Sequence, residues 1–419
     1  MPGHGSLSSA NVALCKSVRP RILRAVATLF IAAVALCGFF ASSSPRYRVS
    51  LVTVDPGSEY YSLEGHTGLR FTDGENDVVV NWGVFDFNSP NFLYRFVCGE
   101  TDYMCVAEPT SRFLAGYAIR YPGRGVSEQV LPLDSVHTEI LVEKIIENLR
   151  PENSRYRYNY VKDNCATRPL NLIEQSLGQV ITIPALPPQF SDGASFREVM
   201  TYYHRNYPWY QFGIDIALGS GIDTLLNPRD YLFAPVILRE MIDPGIVNPE
   251  SGEFILLPSS AEGVVLPHTP ILLPPMAVMW VIAVIVIALI TTMVLKGRFH
   301  STLVRTIYTT WFSILFLTGC LVAFLVFVSS HEATSPNYNL LWLNPLAIIG
   351  TFSVWFKKLK MVWECYHFVN FACVLAYAIV WLAGIQQGNP AFAPLLLTDA
   401  FLSAIFITYT LRHRKAYNS

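Results

Sequence analysis

Asp163-Asn164-Cys165-Ala166-Thr167-Arg168 places a cysteine between a segment of extended character and a helical one. The extended segment is residues 156–161 (Tyr-Arg-Tyr-Asn-Tyr-Val), and residues 169–177 have the composition of a helix. Backbone N–H groups at the start of a helix favour negative charge. We therefore expect Cys165 to be biased toward the thiolate and its neighbours to stabilise an oxyanion.

A thiolate nucleophile also needs a base, and Glu64-Gly65-His66-Thr67-Gly68 supplies a histidine earlier in the chain. His66 lies in a strand-like segment that precedes a glycine-containing turn. A single cysteine and a single histidine form a weak motif, and they fit a buried, inert cysteine and an unrelated histidine as well. Both interpretations stay open on this pair alone.

The composition indicates a membrane protein rather than a soluble enzyme, since 52% of the 419 residues are hydrophobic and only 15% are charged. The formal net charge is −1, and no basic patch with interleaved aromatic residues occurs, which argues against a nucleic-acid partner. Residues 45–265 have the composition of a globular domain, whereas most residues from 271 onward are apolar.

The cysteines of the polar region are Cys98, Cys105 and Cys165. Cys98 and Cys105 flank a six-residue loop that a disulfide could close in an oxidising compartment, and two reduced thiols are an equal alternative. The sequence contains no C-x-x-C motif and no histidine pair at metal-binding spacing. We therefore expect neither a metal site nor a cofactor.

The first 44 residues are interpreted as a cytoplasmic tail with a signal peptide or a signal anchor. Three basic residues, Lys16, Arg19 and Arg21, precede an apolar run over residues 25–41. Ala41-Ser42-Ser43 could serve as a cleavage site, and cleavage and retention both remain possible. Either outcome places the following domain outside the cytoplasm.

The globular region is predicted to begin with an antiparallel meander of strands over residues 47–54, 66–71 and 77–87. Apolar residues at helical spacing predict a helix over residues 136–149, capped by Asp134 or Ser135.

A second helix is predicted over residues 196–207, and an aromatic, amphipathic stretch follows over residues 207–219. This stretch could lie on a bilayer surface or pack in an aromatic core. Asp215 and Asp223 are interpreted as helix caps or turn residues.

Five apolar segments predict five membrane spans, at residues 271–295, 304–328, 340–356, 362–386 and 394–411. The third is marginal because a span needs about 17 residues at least and Asn344-Pro345 interrupts this one. Five crossings would place the basic clusters at 296–298, 357–360 and 412–415 in the cytoplasm. The sequence therefore predicts five spans and a cytoplasmic C-terminus.

The loop over residues 330–339 runs directly into the third segment, at the depth of a lipid head group. His331 and Asn339 are therefore candidate substrate contacts. The commoner explanation is a capped helix start followed by an interfacial tryptophan, Trp342.

Several motifs together resemble the bacterial Lnb-type proteins, whose characterised members are lipoprotein intramolecular transacylases. The motifs are Gly65-His66-Thr67, residues 81–87 (Asn-Trp-Gly-Val-Phe-Asp-Phe), residues 163–168, residues 339–345 and the five C-terminal spans. The order of histidine before cysteine is similar to circularly permuted papain-like proteins. The resemblance implies an α+β fold, with a circularly permuted papain-like cysteine domain over residues 45–268 and a five-helix transmembrane bundle over residues 269–419.

One residue departs from this pattern. Pro169 has to lie in the first helical turn, because proline lacks the N–H that an interior position needs. The start of the helix, and hence the identity of the oxyanion donors, stays open.

The resemblance also implies the roles of the site residues. Cys165 would be the nucleophile and His66 its base, and Asn81 would orient the histidine, with Asp86 as the alternative third residue. The implied reaction moves an acyl chain from a lipid ester through a cysteine thioester to an amine. The implied partner is a membrane lipid or a diacylglyceryl lipoprotein whose own N-terminus accepts the chain.

Two other functions remain open. One is a cysteine-dependent hydrolase of lipid ester, amide or peptide bonds at the membrane surface, and the other is a non-catalytic membrane scaffold. The pair of Cys165 and His66 distinguishes the enzymes from the scaffold, whereas transfer and hydrolysis differ in how well the site excludes water. Each alternative is compatible with a multi-pass protein of the bacterial cytoplasmic membrane whose cysteine domain is extracytoplasmic.

Overall fold

A computed structural model describes residues 47–242, 253–259, 273–356 and 359–413. The predicted signal peptide or anchor, residues 1–44, lies outside these residues, as does half of the last basic cluster. The described residues form a mixed α/β domain followed by a helical region, and the mixed part agrees with the expected α+β class.

One antiparallel sheet of seven strands forms the frame of the first domain, in the order β6-β4-β3-β2-β1-β5-β7. The strands are β1 (Arg48–Val54), β2 (His66–Thr72), β3 (Asp77–Val84), β4 (Asp102–Pro109), β5 (Val126–Leu131), β6 (Arg155–Arg157) and β7 (Glu253–Leu257). The predicted meander of β1, β2 and β3 is confirmed. β3 ends three residues before the predicted boundary because its pairing with β4 is irregular between Asn81 and Val84.

Seven helices accompany the sheet among the described residues of the first domain: α1 (Phe92–Cys98), α2 (Thr110–Arg120), α3 (Ser135–Leu149), α4 (Thr167–Leu177), α5 (Phe196–His204), α6 (Pro208–Ala217) and α7 (Pro235–Met241). The predicted cap of α3 is confirmed, since the Asp134 carboxylate accepts a hydrogen bond from the His137 N–H at 2.8 Å. One hydrophobic core extends from Val49 on β1 to Ile242 after α7, so the segment that follows α4 belongs to the same domain.

The aromatic, amphipathic stretch forms α6, which lies between the two domains. Phe212 and Ile216 pack against the hydrophobic core of the membrane region, and the Phe212 ring lies 5.6 Å from the Phe392 ring. Trp209 donates a hydrogen bond to the Leu273 carbonyl just before the first membrane helix. The stretch therefore packs against the hydrophobic cores of both domains at their interface, in agreement with the core-packing interpretation.

Four helices among the described residues are long and apolar enough to cross a membrane: α8 (Pro275–Leu295), α9 (Thr302–Phe327), α11 (Lys360–Leu382) and α12 (Phe392–Arg412). The third predicted span is wrong as a continuous helix. It forms a short 3-10 turn over Tyr338–Leu341 and a six-residue helix, α10 (Ala347–Phe352). Asn344-Pro345 separates the two, because proline cannot donate a helical hydrogen bond.

The interrupted segment still runs alongside α9. Thr334 donates to the Leu325 carbonyl near one end of α9, and Trp355 donates to the Thr309 hydroxyl near the other. Leu325 and Thr309 are separated by about 24 Å of helix at 1.5 Å per residue. Between them, Asn344 lies so close to Gly319 that a Cβ atom there would approach its backbone to 2.5 Å. Irregular backbone is tolerated at this depth in a membrane because the third segment packs against the other helices.

Candidate active site

The backbone around Cys165 is fixed by the side chain of Asn164. Its amide oxygen accepts hydrogen bonds from the N–H groups of Ala166 and Thr167, both at 2.8 Å. Its amide nitrogen donates to the carbonyls of Tyr160 and Phe233, at 2.7 and 2.9 Å. Asn164 thus holds the cysteine loop to two other segments of the domain, and it acts as a capping residue for the helix that follows.

The helix α4 begins at Thr167, two residues after the cysteine. Pro169 therefore lies in the first turn, where its missing N–H costs nothing. Cys165 itself sits in the turn before the helix, with the helix N-terminus beside it.

Cys165 is 8% exposed, and several donors point at its sulfur. They are the backbone N–H groups of Thr67, Ala166 and Cys165 itself, and the Tyr158 hydroxyl, which lies 4.0 Å from Sγ. Burial raises the pKa of the Cys165 thiol, and these donors only partly oppose that effect. Burial therefore acts against the expected bias toward a thiolate in the resting site.

Gly83 allows this close packing. It has a φ of 86°, a conformation that disfavours other residues, and a Cβ atom there would lie 3.1 Å from the Tyr158 ring and 3.8 Å from the Cys165 Cβ. The glycine of the Asn81-Trp82-Gly83 motif is thus required by the shape of the site.

His66 begins β2, and its Nε2 lies 3.1 Å from the Oδ1 atom of Asn81 on the neighbouring strand. The Asn81 amide nitrogen in turn lies 3.4 Å from the Glu108 carboxylate on β4. This arrangement turns the amide oxygen toward the imidazole, so that Nε2 carries the hydrogen and Nδ1 is left as the proton acceptor. Burial lowers the pKa of His66 to about 4, which keeps the imidazole neutral near pH 7.

β2 brings the histidine close to the cysteine. Thr67, the residue after His66 on this strand, donates its N–H to the Cys165 thiol. The structure therefore brings Cys165, His66 and Asn81 to one site. The described hydrogen bonds contain none between the imidazole and the thiol, and catalytic hydrogen bonds are often long before substrate binds. Asp86, the alternative third residue, instead accepts a hydrogen bond from the Asn88 N–H in an exposed turn.

We predict that Asn81→Ala lowers kcat for the reaction at Cys165 by about tenfold, the equivalent of one hydrogen bond, because the imidazole loses its preferred tautomer. Steady-state kinetics at several pH values would measure the change, with Asn76→Ala in an exposed turn as the matched control. Equal kcat values for Asn81→Ala and the wild type would show that Asn81 does not orient His66.

Two carboxyl groups of this region, the half-buried Glu108 and the buried Glu64, were not assigned from the sequence. Glu108 contacts Asn81, but it lies far from both motifs in the sequence. Glu64 lies two residues before His66, and this closeness in the sequence is the feature that could have indicated a place in the site. Its Oε1 atom is buried and has no hydrogen-bond partner among the described residues, and the Tyr160 hydroxyl lies against the carboxyl group. Burial, and to a smaller extent the proximity of Cys165, raises the pKa of Glu64 to about 8.

This raised pKa predicts a pH-dependent stability. The unfolded carboxyl ionises near pH 4.5, whereas the folded one stays protonated to about pH 8. The stability contributed by the neutral folded form is therefore complete below pH 4.5 and is lost as the pH rises toward 8. We expect the Tm of Glu64→Gln to exceed that of the wild type increasingly over this range, by at least about 5 °C at pH 8.

Thermal unfolding in detergent between pH 4.5 and pH 9 would measure this difference. Glu75→Gln, at an exposed turn position, is the matched control and should follow the wild type at every pH. A constant difference in Tm between Glu64→Gln and the wild type would mean that Glu64 titrates normally in the folded protein.

The predicted disulfide is not formed in this structure, where Cys98 and Cys105 are both free thiols. Cys105 lies on β4 and its side chain belongs to the hydrophobic core of the sheet. Cys98 ends α1, outside that core, and its carbonyl accepts a hydrogen bond from the Ser330 N–H. The strand and the helix direct the two side chains into different surroundings, which sequence spacing alone does not reveal.

The two candidate substrate contacts differ in their surroundings. Asn339 is fully buried, and its amide donates to the carbonyls of Asp215 and Ile216 while its oxygen accepts from Trp342. Every polar atom of that amide is thus used within the protein, and the structure places Asn339 in the domain interface. His331 lies at the domain boundary, with Nε2 2.8 Å from the Phe96 carbonyl.

Asp215 lies inside α6, so its interpretation as a cap or turn residue is wrong, whereas Asp223 does cap the 3-10 turn over Ser220–Ile222. Both carboxylates bind the buried guanidinium of Arg197. Arg197 lies 3.0 Å from Asp215 and 2.6 Å from Asp223. Asp215 also accepts from Asn389, and Asp223 from the Gln387 N–H, both in the loop between α11 and α12. This cluster fixes the cysteine domain to the membrane helices. Within the described residues, no group of His, Cys, Asp and Glu has the arrangement of a metal site.

Comparison with known protein families matches two parts of the chain. Residues 41–188 match the Lnb N-terminal periplasmic domain, and residues 268–414 match the Lnb transmembrane domain. The first match includes Cys165, His66 and Asn81. No curated protein and no solved structure matches the chain. On these two matches, the chain belongs to the Lnb-type family of bacterial inner-membrane proteins, which carry an extracytoplasmic N-terminal domain ahead of a transmembrane domain.

Proposed function

We propose that this protein is an acyltransferase that moves an acyl chain from a lipid ester through a Cys165 thioester to an amine. Membership of the Lnb family suggests a role in lipoprotein modification. The observation that carries the finer proposal is a buried thiol beside a neutral, oriented imidazole, in a domain held against membrane helices by a buried polar cluster.

Two steps follow from this geometry. His66 Nδ1 takes the Cys165 proton as the sulfur attacks the ester carbonyl, while the N–H groups of Thr67 and Ala166 stabilise the thiolate as it forms. The C–O bond of the ester then breaks, and the imidazolium returns the proton to the departing alcohol oxygen. In the second step His66 takes a proton from the attacking amine, the C–S bond breaks, and the sulfur recovers its proton.

Cysteine chemistry suits an amine acceptor, because a thioester is more reactive toward nitrogen than an oxygen ester is. The burial of the thiol favours transfer over hydrolysis, since water must be kept from the intermediate. A hydrolase with the same residues and a non-catalytic scaffold are the alternatives.

For the donor and the acceptor, we propose a diacylglyceryl lipoprotein whose own N-terminus receives the chain, as in the characterised relatives that the sequence resembles. Mass spectrometry of lipoprotein N-termini would test this in cells that express the wild type, Cys165→Ser or neither. We expect N-acylated lyso-lipoproteins with the wild type alone. Free fatty acid with unmodified N-termini would identify a hydrolase, and identical lipoproteins in all three strains would support the scaffold.

We also propose that the C-terminus is cytoplasmic, because the interrupted third segment runs alongside α9 from Leu325 to Thr309 and would complete a fifth crossing. The basic residues 296–298 and 412–415 would then lie on the cytoplasmic side. Reporter fusions near residue 250 and at Ser419 should give opposite signals. Matching signals would mean that the third segment enters and leaves the membrane on one side.

A further inference from the structure

Five aromatic side chains, three of them exposed and two half-buried, lie between the active site and the membrane region. We define this aromatic surface as Tyr61, Phe85, Phe87, Phe92 and Phe96. Neighbouring ring centroids within it are 4.6–6.3 Å apart, and Phe87 is 59% exposed. Contiguous exposed apolar surface is unusual on a protein and commonly marks a binding site.

One end of the aromatic surface reaches the nucleophile. The Phe85 ring lies 5.1 Å from that of Tyr103, which stacks on Tyr158 at 4.5 Å. The Tyr158 hydroxyl in turn is 4.0 Å from the Cys165 sulfur. Ring contacts thus lead without interruption from the exposed surface to the catalytic thiol.

The other end reaches the membrane helices. The Phe96 ring lies 6.2 Å from the His331 ring, just beyond the end of α9. Ser330 fixes the same contact by donating to the carbonyls of Cys98 and Gly99, both at 3.0 Å. Phe327, the last residue of α9, is itself exposed. The end of α9 and α1 therefore lie next to each other, joined through Ser330 and His331.

We infer that the aromatic surface binds the acyl chain of the lipid donor and leads its ester to Cys165. This inference rests on the proposed function and assigns it a chain-binding site. An acyl chain explains why the surface extends from the membrane helices to the active site. The chain starts in the bilayer beside α9, and its carbonyl must reach the thiol. It also needs apolar contact, which the rings provide from α1 to Tyr158.

Photocrosslinking from Leu93 on α1 tests the binding site directly. Leu93, which follows Phe92 on α1, is 73% exposed, and Ile119 on α2 is 79% exposed and is the matched control. Each is replaced by p-benzoylphenylalanine in full-length Cys165→Ser protein. The protein is reconstituted in phosphatidylethanolamine–phosphatidylglycerol vesicles with a synthetic diacylglyceryl-cysteine peptide that carries isotope-labelled acyl chains.

We expect crosslinks to the labelled chains at least tenfold more often from position 93 than from position 119. Equal labelling from the two positions would overturn the inference. Crosslinks to unlabelled phospholipid alone would also overturn it, since the surface would then only lie on the bilayer. So would crosslinks to the peptide part in place of the chains.

A kinetic test separates this inference from the proposed function. For Phe87→Ser, the ratio of kcat/KM for the dipalmitoyl substrate to that for a dihexanoyl substrate should fall at least tenfold relative to the wild type, whereas Ile119→Ser should keep the wild-type ratio. If the wild type forms no Cys165 thioester, the proposed function fails. If the thioester forms but Phe87→Ser keeps the wild-type ratio, the acyl-chain assignment alone fails.

Discussion

Cys165→Ser is expected to lower the rate of acyl transfer by at least about 10³-fold, because a serine hydroxyl is a much weaker nucleophile than a thiol near neutral pH. His66→Ala should cause a comparable loss, since nucleophile and base act as a unit. Both proteins should remain folded, as neither change removes a residue on which the core depends. Acyl transfer from a diacylglyceryl-cysteine peptide in detergent or vesicles would measure the two rates.

The covalent intermediate provides an independent readout. Wild-type protein trapped in acid during turnover and then treated with neutral hydroxylamine should release an acyl hydroxamate, and Cys165→Ser should release none. Cys98→Ser is the matched control, because Cys98 is also a buried thiol of the same domain but lies outside the site. Wild-type activity in Cys165→Ser would show that the cysteine is structural and that this mechanism is wrong.

Arg197→Leu should destabilise the protein by about 3–5 kcal/mol, because it leaves two buried carboxylates, Asp215 and Asp223, without their counter-charge. It also removes hydrogen bonds to the carbonyls of Leu218 and Gly219. Thermal unfolding of the purified protein in detergent should show a Tm lower by roughly 10 °C. Because these aspartates hold the loop between α11 and α12, we further expect acyl transfer to fall in the protein that remains folded.

Lys162→Leu is the control, and it tests whether the loss of stability depends on the burial of the ion pair. Its ion pair with Glu332 also bridges the two domains, but both side chains are about two-thirds exposed to solvent. An exposed pair contributes at most about 1 kcal/mol, so the Tm should change little. Similar changes in Tm for Arg197→Leu and Lys162→Leu would mean that the buried cluster does not fix the cysteine domain to the membrane helices.

The local patterns of this sequence predicted the elements on which the site is built. Alternating apolar residues gave the meander of β1, β2 and β3, and periodic apolar residues with an acidic cap gave α3. These signals succeed because each depends on neighbours within a few residues. The third membrane segment failed for the opposite reason. Its apolar composition indicates a span, but Asn344-Pro345 breaks the helix and packing against Gly319 on α9 accommodates the break.

The sequence by itself determined which residues can carry the chemistry, namely a cysteine before a helix and a histidine at the start of a strand, together with membrane attachment. Only the tertiary structure decided how these groups behave. Burial raises the pKa of the Cys165 thiol against the expected bias toward a thiolate. The β2–β3 pairing places Asn81, and not Asp86, against His66, and Arg197 forms a buried ion cluster with Asp215 and Asp223. Protonation and ion pairing depend on desolvation and on partners distant in the chain, which a linear pattern does not specify.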